Sequence, residues 1–244
     1  MKPLGRRIPT DWAHVDKYPL QLASVTTVNK VLSLPAFHST WDQGREGACV
    51  GFGTSMMLSI INEAEARRNL TLPYTHKYDP RWLWNRAKEI DEWADTNPGD
   101  ENGTSVRAAC DVLRTQGHVR ILSGKTQPVS LKEGIASNRW ATTVDAMRSS
   151  IAAGIPISIG VNWYTSFDTP EYSGGFYWIG RNNNLGTVRG GHCVCIYGAS
   201  DNRQAFRVKN SWGDSYPLVW LTYSAMGRLL SEYGEATLVT DNLE

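Results

Sequence analysis

Cys49 is the residue of this sequence best placed to act as a nucleophile, because a run with helical periodicity begins there. In that run Phe52, Met56 and Ile60 recur every four residues, as on the buried face of a helix. A thiol at a helix N-terminus lies near the positive end of the helix dipole and near unpaired N–H groups, which favours the thiolate. A lone cysteine at such a position is otherwise a small buried hydrophobic residue, so the assignment depends on finding a base.

His192 is the candidate base, because it alone among the five histidines opens an apolar strand directly after a pair of glycines. The strands predicted at 192–197 and 205–210 are joined by a turn centred on Asp201, and a hairpin with that centre sets His192 opposite Asn210. A side-chain carbonyl that accepts from one imidazole nitrogen fixes the tautomer and leaves the other nitrogen for the thiol. The alternative is that Asn210 merely ends a strand.

Two further residues complete this candidate site. Gln43 lies in a glycine-containing loop six residues before Cys49, and its side-chain amide could join the backbone N–H of Cys49 as a pair of donors to an oxyanion. Trp212, two residues after Asn210, is expected to cover the hydrogen bond between His192 and Asn210 from water. A surface glutamine and a turn after a strand are the plainer interpretations of these two positions.

A zinc site is an alternative interpretation of this region, because His192, Cys193 and Cys195 place three potential ligands within four residues. Strand alternation sets the histidine on one face and both cysteines on the other, and no fourth ligand has suitable spacing. We therefore expect no metal. The two neighbouring cysteines cannot easily bond to each other, so a reduced chain is the simpler expectation for the four cysteines.

Length and charge exclude some classes of partner. With 244 residues the chain can bury a full core as one large domain or as two lobes. A formal net charge of +1 provides no field to gather nucleic acid or an anionic membrane, so neither is an expected partner. Since no signal-peptide segment follows the basic N-terminus and no stretch reaches about 18 apolar residues, we expect a chain that is neither exported nor membrane-spanning.

Periodicity changes along the chain from helical to strand-like. Residues 1–34 are predicted to form an extended arm, followed by a domain over 35–244 with a helical lobe at about 41–150 and a β lobe at about 151–244. Helices are predicted at 49–68, 80–90, about 104–116 (closed by Gly117) and about 143–153, and strands at 155–163, 192–197, 205–210 and 218–223. The pattern indicates an α+β chain with a cleft between two lobes.

Three short segments resemble the signatures of the papain family of cysteine peptidases, in the usual order. They are residues 42–44 leading to Cys49, residues 191–192, and residues 209–213. The separation of Cys49 and His192 also lies within the range of about 130 to 150 residues. The resemblance covers about 35–226 and implies a papain-like two-lobe α+β fold, with the active site between a helical lobe and an antiparallel β lobe.

The resemblance also implies a function and a substrate site. The function is that of an endopeptidase acting on proteins or peptides through Cys49, His192 and Asn210 and a thioester intermediate, with no metal or organic cofactor. Gly103 would lie on the strip that hydrogen-bonds extended substrate, Gly160 would line the main side-chain pocket, and Trp212 is counted with these substrate-binding residues.

Segments 78–88 and 101–109 are similar to bacterial and phage-type members of the family. This leaves two alternatives, a structural or assembly protein on a papain-like scaffold and a hydrolase of cell-wall peptides, with a cytoplasmic or virion-associated location and other virion proteins as partners of the arm. The sequence departs from the family at Val50, where tryptophan is usual, and at Glu46, where a structural cysteine is common. No long inhibitory prosegment precedes the domain. Because the arm at 1–34 is long and lacks helical periodicity, we expect it to lie across the cleft or to dock on a partner.

Overall fold

Helices and strands divide the chain into a helical first half and a β-rich second half, as predicted. The computed structural model describes residues 2–17, 19–20, 25–68, 77–96, 99 and 102–241. Within these residues the helices are α1 (Ala13–Lys17), α2 (Cys49–Arg68), α3 (Pro80–Ile90), α4 (Val106–Thr115), α5 (Val144–Ala153) and α6 (Tyr223–Ser231). The strands are β1 (Asn29–Val31), β2 (Lys77–Tyr78), β3 (Arg120–Leu122), β4 (Lys125–Thr126), β5 (Ile135–Ala141), β6 (Ile157–Tyr164), β7 (Glu171–Ser173), β8 (Phe176–Ile179), β9 (Val188–Ser200), β10 (Ala205–Lys209), β11 (Val219–Thr222) and β12 (Glu235–Asp241).

One large sheet forms the β half of the molecule. Its strand order is β5-β12-β6-β9-β10-β11-β8-β7, and β1 adds to β9 off this path. All described pairings in it are antiparallel except β11 with β8. A second, three-stranded sheet has the order β2-β3-β4. The predicted α+β class is confirmed, and none of the described helices is long and apolar enough to cross a membrane.

Strand β9 separates two hydrophobic cores, which explains the continuous apolar run at its residues 193–197. Val194 and Ile196 belong to the core of the β half, whereas Cys193, Cys195 and Tyr197 belong to the core that contains α2. A strand covered on both faces reads as a continuous apolar run rather than as an alternating one. As strand alternation predicted, Cys193 and Cys195 share one face of β9, and Val194 and Ile196 lie on the other.

Small residues in the first turns of α2 let that helix lie against β9. A Cβ added at Gly53 would stand 2.8 Å from Sγ of Cys193, and one added at Gly51 would stand 2.1 Å from the backbone oxygen of Pro80. Glycine costs helix propensity but permits this close approach. The approach fixes the start of α2, and hence Cys49, against the sheet.

Helix boundaries follow local capping groups. The side chain of Ser105 accepts a hydrogen bond from the backbone N–H of Ala108, so α4 starts slightly later than predicted. Gly117, at the predicted end, has the positive φ of 85° that a residue after a helix commonly takes. Gly154 likewise ends α5 in a left-handed conformation, which delays β6 to Ile157.

The predicted register of the β9–β10 hairpin is wrong. Ala205 pairs with Ser200, so all four residues 201–204 form the turn, and its centre lies beyond Asp201. A bulge between Arg207 and Val208 then shifts the register by one residue, and Lys209 pairs with Cys195. Asn210 therefore does not lie directly opposite His192. Turn length and bulges depend on packing that the alternating pattern does not encode.

The N-terminal segment, for which an extended arm was predicted, contains two regular elements. Helix α1 forms one turn and a half, and β1 pairs with the far end of β9 through Asn29 opposite Ser200. Upstream of α1 the chain is extended, and Arg6 forms an isolated parallel bridge with Thr104. This bridge brings the start of the chain between the two halves of the molecule.

Candidate active site

The thiol of Cys49 lies at the first residue of α2 and is completely buried. Burial raises its pKa to about 12, although hydrogen bonds from the backbone of Cys193, Gly5 and Val50 act in the opposite direction. The thiol is therefore neutral near pH 7 in this conformation. One of the groups that bury it, Gly5, belongs to the N-terminal segment.

His192 and Asn210 are joined by a hydrogen bond of 2.9 Å between Nε2 and Oδ1. The same Oδ1 accepts from the backbone N–H of Ser211 at 2.7 Å, which fixes the orientation of the amide group. Because Oδ1 is an acceptor in both contacts, Nε2 of the ring donates, and Nδ1 is the nitrogen that can accept a proton. Nδ1 is buried and has no hydrogen-bond partner among the residues that the structure describes.

Two tryptophans enclose the ring of His192. The Trp212 ring lies 4.9 Å from the imidazole at an angle of 34°, and Trp163 meets it edge-on at 4.7 Å. The imidazole is fully buried, and this burial lowers the pKa of His192 to about 4, against the hydrogen bond with Asn210, which raises it. The ring is therefore a neutral base at physiological pH.

Gln43 is held in place by the segment that follows Asn210. Its Oε1 accepts from Oγ of Ser211 at 2.6 Å, and its backbone N–H donates to the Ser211 carbonyl at 2.9 Å. Its Nε2 donates to the carbonyl of Glu46 at 2.8 Å. A primary amide carries two hydrogens, so one N–H of this group remains for another acceptor.

Glu46, which replaces a common structural cysteine, makes an ion pair instead. Its Oε2 lies 2.5 Å from Nε of Arg81 in α3. The ion pair ties the loop before Cys49 to the helical half, and the Glu46 carbonyl is the acceptor that holds Gln43. This ion pair is a contact between the loop before Cys49 and α3.

The N-terminal segment lies along the cleft as an extended chain. The backbone N–H groups of Gly5 and Arg6 donate to the carbonyl of Gly191 at 3.1 and 2.9 Å, and the carbonyl of Gly5 accepts from the N–H of Thr104 at 2.9 Å. Arg7 closes this pattern by donating to the Thr104 carbonyl at 2.9 Å. The segment is thereby hydrogen-bonded to both walls of the cleft.

Glycines in both walls allow that contact. A Cβ added at Gly103 would stand 1.5 Å from the Gly5 carbonyl oxygen, and one added at Gly191 would stand 2.0 Å from the Arg6 carbonyl oxygen. On the third side, a Cβ on Gly5 itself would stand 1.9 Å from the carbonyl oxygen of Gly47. The cleft thus accepts a backbone at distances that side chains on its walls would forbid.

The side chain of Arg6 fills a pocket beside the cleft. A Cβ added at Gly160 would lie 2.9 Å from both Cγ and Nε of Arg6 and 2.9 Å from Val106, so the absence of a side chain there makes the pocket. At its end Nε of Arg6 lies 3.1 Å from Oε2 of Glu235, with both side chains 0% exposed. The predicted pocket residue Gly160 therefore contacts an arginine.

A cavity of about 590 Å³ lies between the start of the chain and the segment around Trp212. Arg189 lines it, forms an ion pair with Asp168 and donates to the carbonyl of Lys2. Asp168 in turn accepts from Nε1 of Trp163 at 3.0 Å. The lining residues are Lys2, Pro3, Gly44, Arg45, Asp168, Arg189, Trp212, Ser215 and Tyr216.

All seven site residues predicted from the sequence lie in or beside this cleft. His192 is hydrogen-bonded to Asn210, and the ring of Trp212 is tilted against the ring of His192. Gln43 is hydrogen-bonded to Ser211, which follows Asn210. Cys49, Gly103 and Gly160 lie against the N-terminal residues. Within the residues that the structure describes, no group of three His, Cys, Asp or Glu side chains is placed to hold a metal ion.

Five residues of the site were not predicted from the sequence, namely Arg6, Trp163, Asp168, Arg189 and Glu235. Glu235 carried a usable signal, because it is a lone acidic residue at the start of an apolar strand, and a charge there needs a buried partner. The other four carry no local signal, since only the packing of distant segments brings them to the cleft.

Comparison with known proteins relates the chain to thiol proteases. The model of the family described as papain family cysteine protease matches residues 42–228. A protein of Acanthamoeba polyphaga mimivirus, described as an uncharacterized peptidase C1-like protein, is 21% identical over an alignment of length 218, and the match covers 82% of this chain and 68% of that protein.

Solved structures share the fold at low sequence identity. Xylellain, a cysteine protease from Xylella fastidiosa, superposes with a TM-score of 0.69 at 17% identity, covering 98% of this chain and 97% of that one. The digestive procathepsin L2 proteinase of the Tenebrio molitor larval midgut gives a TM-score of 0.63 at 15% identity, covering 98% and 78%. Both similarities extend over nearly the whole chain.

Proposed function

The chain belongs to the papain family of cysteine proteases, which are hydrolases, and from that premise we propose that it hydrolyses peptide bonds through Cys49, His192 and Asn210. One observation carries the proposal. Oδ1 of Asn210, held by the backbone of Ser211, accepts from Nε2 of His192 and leaves Nδ1 as a buried acceptor. A base with a fixed tautomer and one free nitrogen is what a thiol nucleophile requires.

The proposed reaction proceeds through a thioester. His192 takes the proton of Cys49, and the thiolate attacks the carbonyl carbon of the peptide bond. The free N–H of Gln43 and the backbone N–H of Cys49 hold the oxyanion, and the imidazolium gives its proton to the leaving amine. A water molecule, deprotonated by His192, then attacks the thioester, which releases the acid and restores the thiol.

We further propose that residues 1–34 act as an arm that closes the cleft of the peptidase domain at 35–244. The backbone of Gly5 lies beside the Cys49 thiol and acts to lower its pKa, while the N–H of Gly5 donates to the Gly191 carbonyl and its carbonyl accepts from the N–H of Thr104. The arm is thus held by both walls of the cleft. It occupies the substrate strip without being a substrate, and it must leave before a peptide can bind.

Alkylation kinetics test the proposal. The full chain and its Arg6→Glu variant, in which two carboxylates face each other in the pocket, are treated briefly with iodoacetamide near neutral pH and analysed by mass spectrometry. We expect Cys49 to react faster than Cys110, Cys193 and Cys195 once the arm is displaced. Arg7→Glu is the matched control.

Peptide digestion completes the test. The Arg6→Glu chain should cut a peptide library, and the same chain with Cys49→Ala should cut none of it. Cleavage that survives loss of the thiol would exclude the mechanism. Equal labelling of all four cysteines in the Arg6→Glu chain (the displaced-arm variant) would argue against an activated nucleophile.

The occluded cleft also suits a second function, that of a structural or assembly protein on this scaffold. In that case the arm would be a permanent part of the fold, and Cys49 would stay unreactive in every variant that folds. The same alkylation experiment separates the two functions. Cell-wall peptides as substrates and virion proteins as partners of the arm stay predictions from the sequence.

A further inference from the structure

The guanidinium group of Arg6 occupies the pocket beside the cleft and is buried there. Nε of Arg6 lies 3.1 Å from Oε2 of Glu235, and both side chains are fully buried. The guanidinium also donates to the carbonyl of Tyr233. Two different nitrogens of the group thus donate, Nε to the carboxylate and Nη2 to the carbonyl, as a guanidinium with several N–H donors can do.

The acidic group of this pocket belongs to the body of the molecule. Glu235 is the first residue of β12 and pairs with Gly160 of β6, so its backbone is part of the large sheet. A carboxylate at such a place is costly unless a positive group lies beside it. The pocket is therefore built around a cation.

The cation beside Glu235 comes from the arm, because it is the guanidinium of Arg6. The imidazole Nε2 of His14, also in the arm, lies 3.4 Å from Oε1 of Glu235. When residues 5–7 leave the cleft, the Arg6 guanidinium leaves with them. Glu235 then faces an open pocket, and a positive side chain from the next occupant would replace that guanidinium.

The arm also shows how the next occupant would reach the carboxylate. Residues 5–7 are extended and hydrogen-bonded to Gly191 and Thr104, and Arg6 extends from this backbone past Gly160 to Glu235. An extended peptide on the same two walls would place one side chain in the same pocket.

We propose that Glu235 makes the protease select peptide substrates with an arginine in this pocket, next to the residue whose carbonyl is attacked. This inference rests on the function proposed above and names its substrate class. Arginine is favoured over lysine, because a single ammonium group cannot reach both Glu235 and the Tyr233 carbonyl as the guanidinium of Arg6 does. Leucine is disfavoured because it leaves the carboxylate buried and unpaired.

Substrate profiling tests this selectivity in the full chain carrying Arg6→Ala, which empties the pocket. Matched fluorogenic peptides carry arginine, lysine, leucine or citrulline, the uncharged analogue of arginine, at each position around the cleaved bond in turn. At one position kcat/KM should favour arginine over citrulline by roughly 10- to 150-fold, the range for a hydrogen bond to a charged group. Adding Glu235→Gln should reduce that ratio to about twofold or less.

The matched control is Arg7→Ala. Arg7 neighbours Arg6 but lies over the ring of Trp93, 4.8 Å from its centroid, outside the pocket. This variant should retain the closed cleft and the slow cleavage of the parent chain. If Arg6→Ala does not fold, as judged by circular dichroism, Arg6→Gln keeps a polar group in the pocket without the charge and serves in its place.

A binding measurement separates failure of this inference from failure of the proposed function. Calorimetry with the Cys49→Ala, Arg6→Ala chain compares the arginine peptide with its citrulline counterpart, independently of catalysis. Selective binding without cleavage in the chain that retains Cys49 would support the pocket and reject the peptidase. Cleavage without preference for arginine, or failure of both peptides to bind, would overturn the role of Glu235.

Discussion

Asn210 lies one residue beyond the paired part of β10, yet its Oδ1 is 2.9 Å from Nε2 of His192. The last paired residue, Lys209, lies opposite Cys195, so the Asn210 side chain reaches diagonally along β9 to the ring. Because Asn210 is outside the ladder, its position depends on the contact of its own side chain with the Ser211 backbone. The orientation of the base thus rests on a few polar contacts at a strand end.

Replacing Asn210 with alanine removes the group that holds the tautomer of His192. We expect kcat of the displaced-arm variant to fall by about 10- to 100-fold, as for loss of an orienting partner, with little change in KM. Steady-state kinetics on one fluorogenic peptide provide the measurement. Asn162→Ala, which removes an asparagine bonded to Glu232 outside the cleft, is the matched control. An unchanged kcat would show that the ring needs no orienting residue.

Replacing Gln43 with alanine tests the oxyanion donor. We expect kcat to fall by about 100- to 1,000-fold, because one donor to the developing charge is lost. The rate of Cys49 alkylation should be unchanged, since that reaction forms no oxyanion. Gln204→Ala, in the β9–β10 turn, is the control. Parallel loss of alkylation and cleavage would show instead that Gln43 only supports the loop before the cysteine.

Gly103→Ala should raise the rate of Cys49 alkylation without raising the rate of peptide cleavage. The new Cβ would stand 1.5 Å from the Gly5 carbonyl oxygen, so the arm can no longer lie on the strip. Alkylation of Cys49 should therefore become faster, while peptide cleavage stays low because a substrate backbone meets the same obstacle. Gly227→Ala, where the nearest atom lies 3.8 Å away, should alter neither rate. If both rates rise together, substrate does not use the strip that the arm uses.

Acidification should lower the free energy of unfolding already at pH values above those at which carboxylates become protonated. Burial lowers the pKa of His192 to about 4 and that of His118 to about 3, so both are neutral when folded. In the unfolded chain they titrate near 6.5, and the unfolded state therefore binds more protons below that pH. The free energy of unfolding should fall as the pH drops from about 6.5 to about 4.5.

Urea denaturation at several pH values measures this dependence. Asp201 and Glu232 have lowered pKa values, so their stabilising contributions are lost mainly below about pH 4.5, as the pH falls past their unfolded pKa values. His192→Gln should reduce the slope by about one proton, or about 1.4 kcal/mol per pH unit. An equal slope in the parent and the variant would mean that His192 is not neutral and buried in the folded chain.

The pair of Arg6 and Glu235 should show energetic coupling in the folded protein. Since both side chains are fully buried, removing Arg6 alone leaves an uncompensated charge, and we expect a loss of about 3 to 5 kcal/mol. The double variant with Glu235→Ala should lose less than the sum of the single variants, by about 0.5 to 3 kcal/mol. Urea unfolding of the four chains closes the cycle, and additive losses would show that the two groups do not interact.

Local features of this chain were predictable because their causes are local. The periodic run after Cys49 predicted α2, and the conformation of Gly117 at the end of α4 follows from its neighbours. The short motifs around Gln43, His192 and Asn210 predicted which residue types meet, since each role needs one kind of side chain. The sequence by itself therefore determined the α+β class and the list of candidate residues.

Only the tertiary structure decided how those residues are covered and by what. The register of β9 and β10 depends on a four-residue turn and a bulge, and the pocket depends on Arg6 and Glu235, which are 229 residues apart. No periodicity or spacing links such distant positions, because their contact follows from the packing of the arm between two walls. The sequence predicted how a peptide bond would be broken. The tertiary structure placed residues 5–7 in the cleft and the Glu235 carboxylate in the pocket that Arg6 fills.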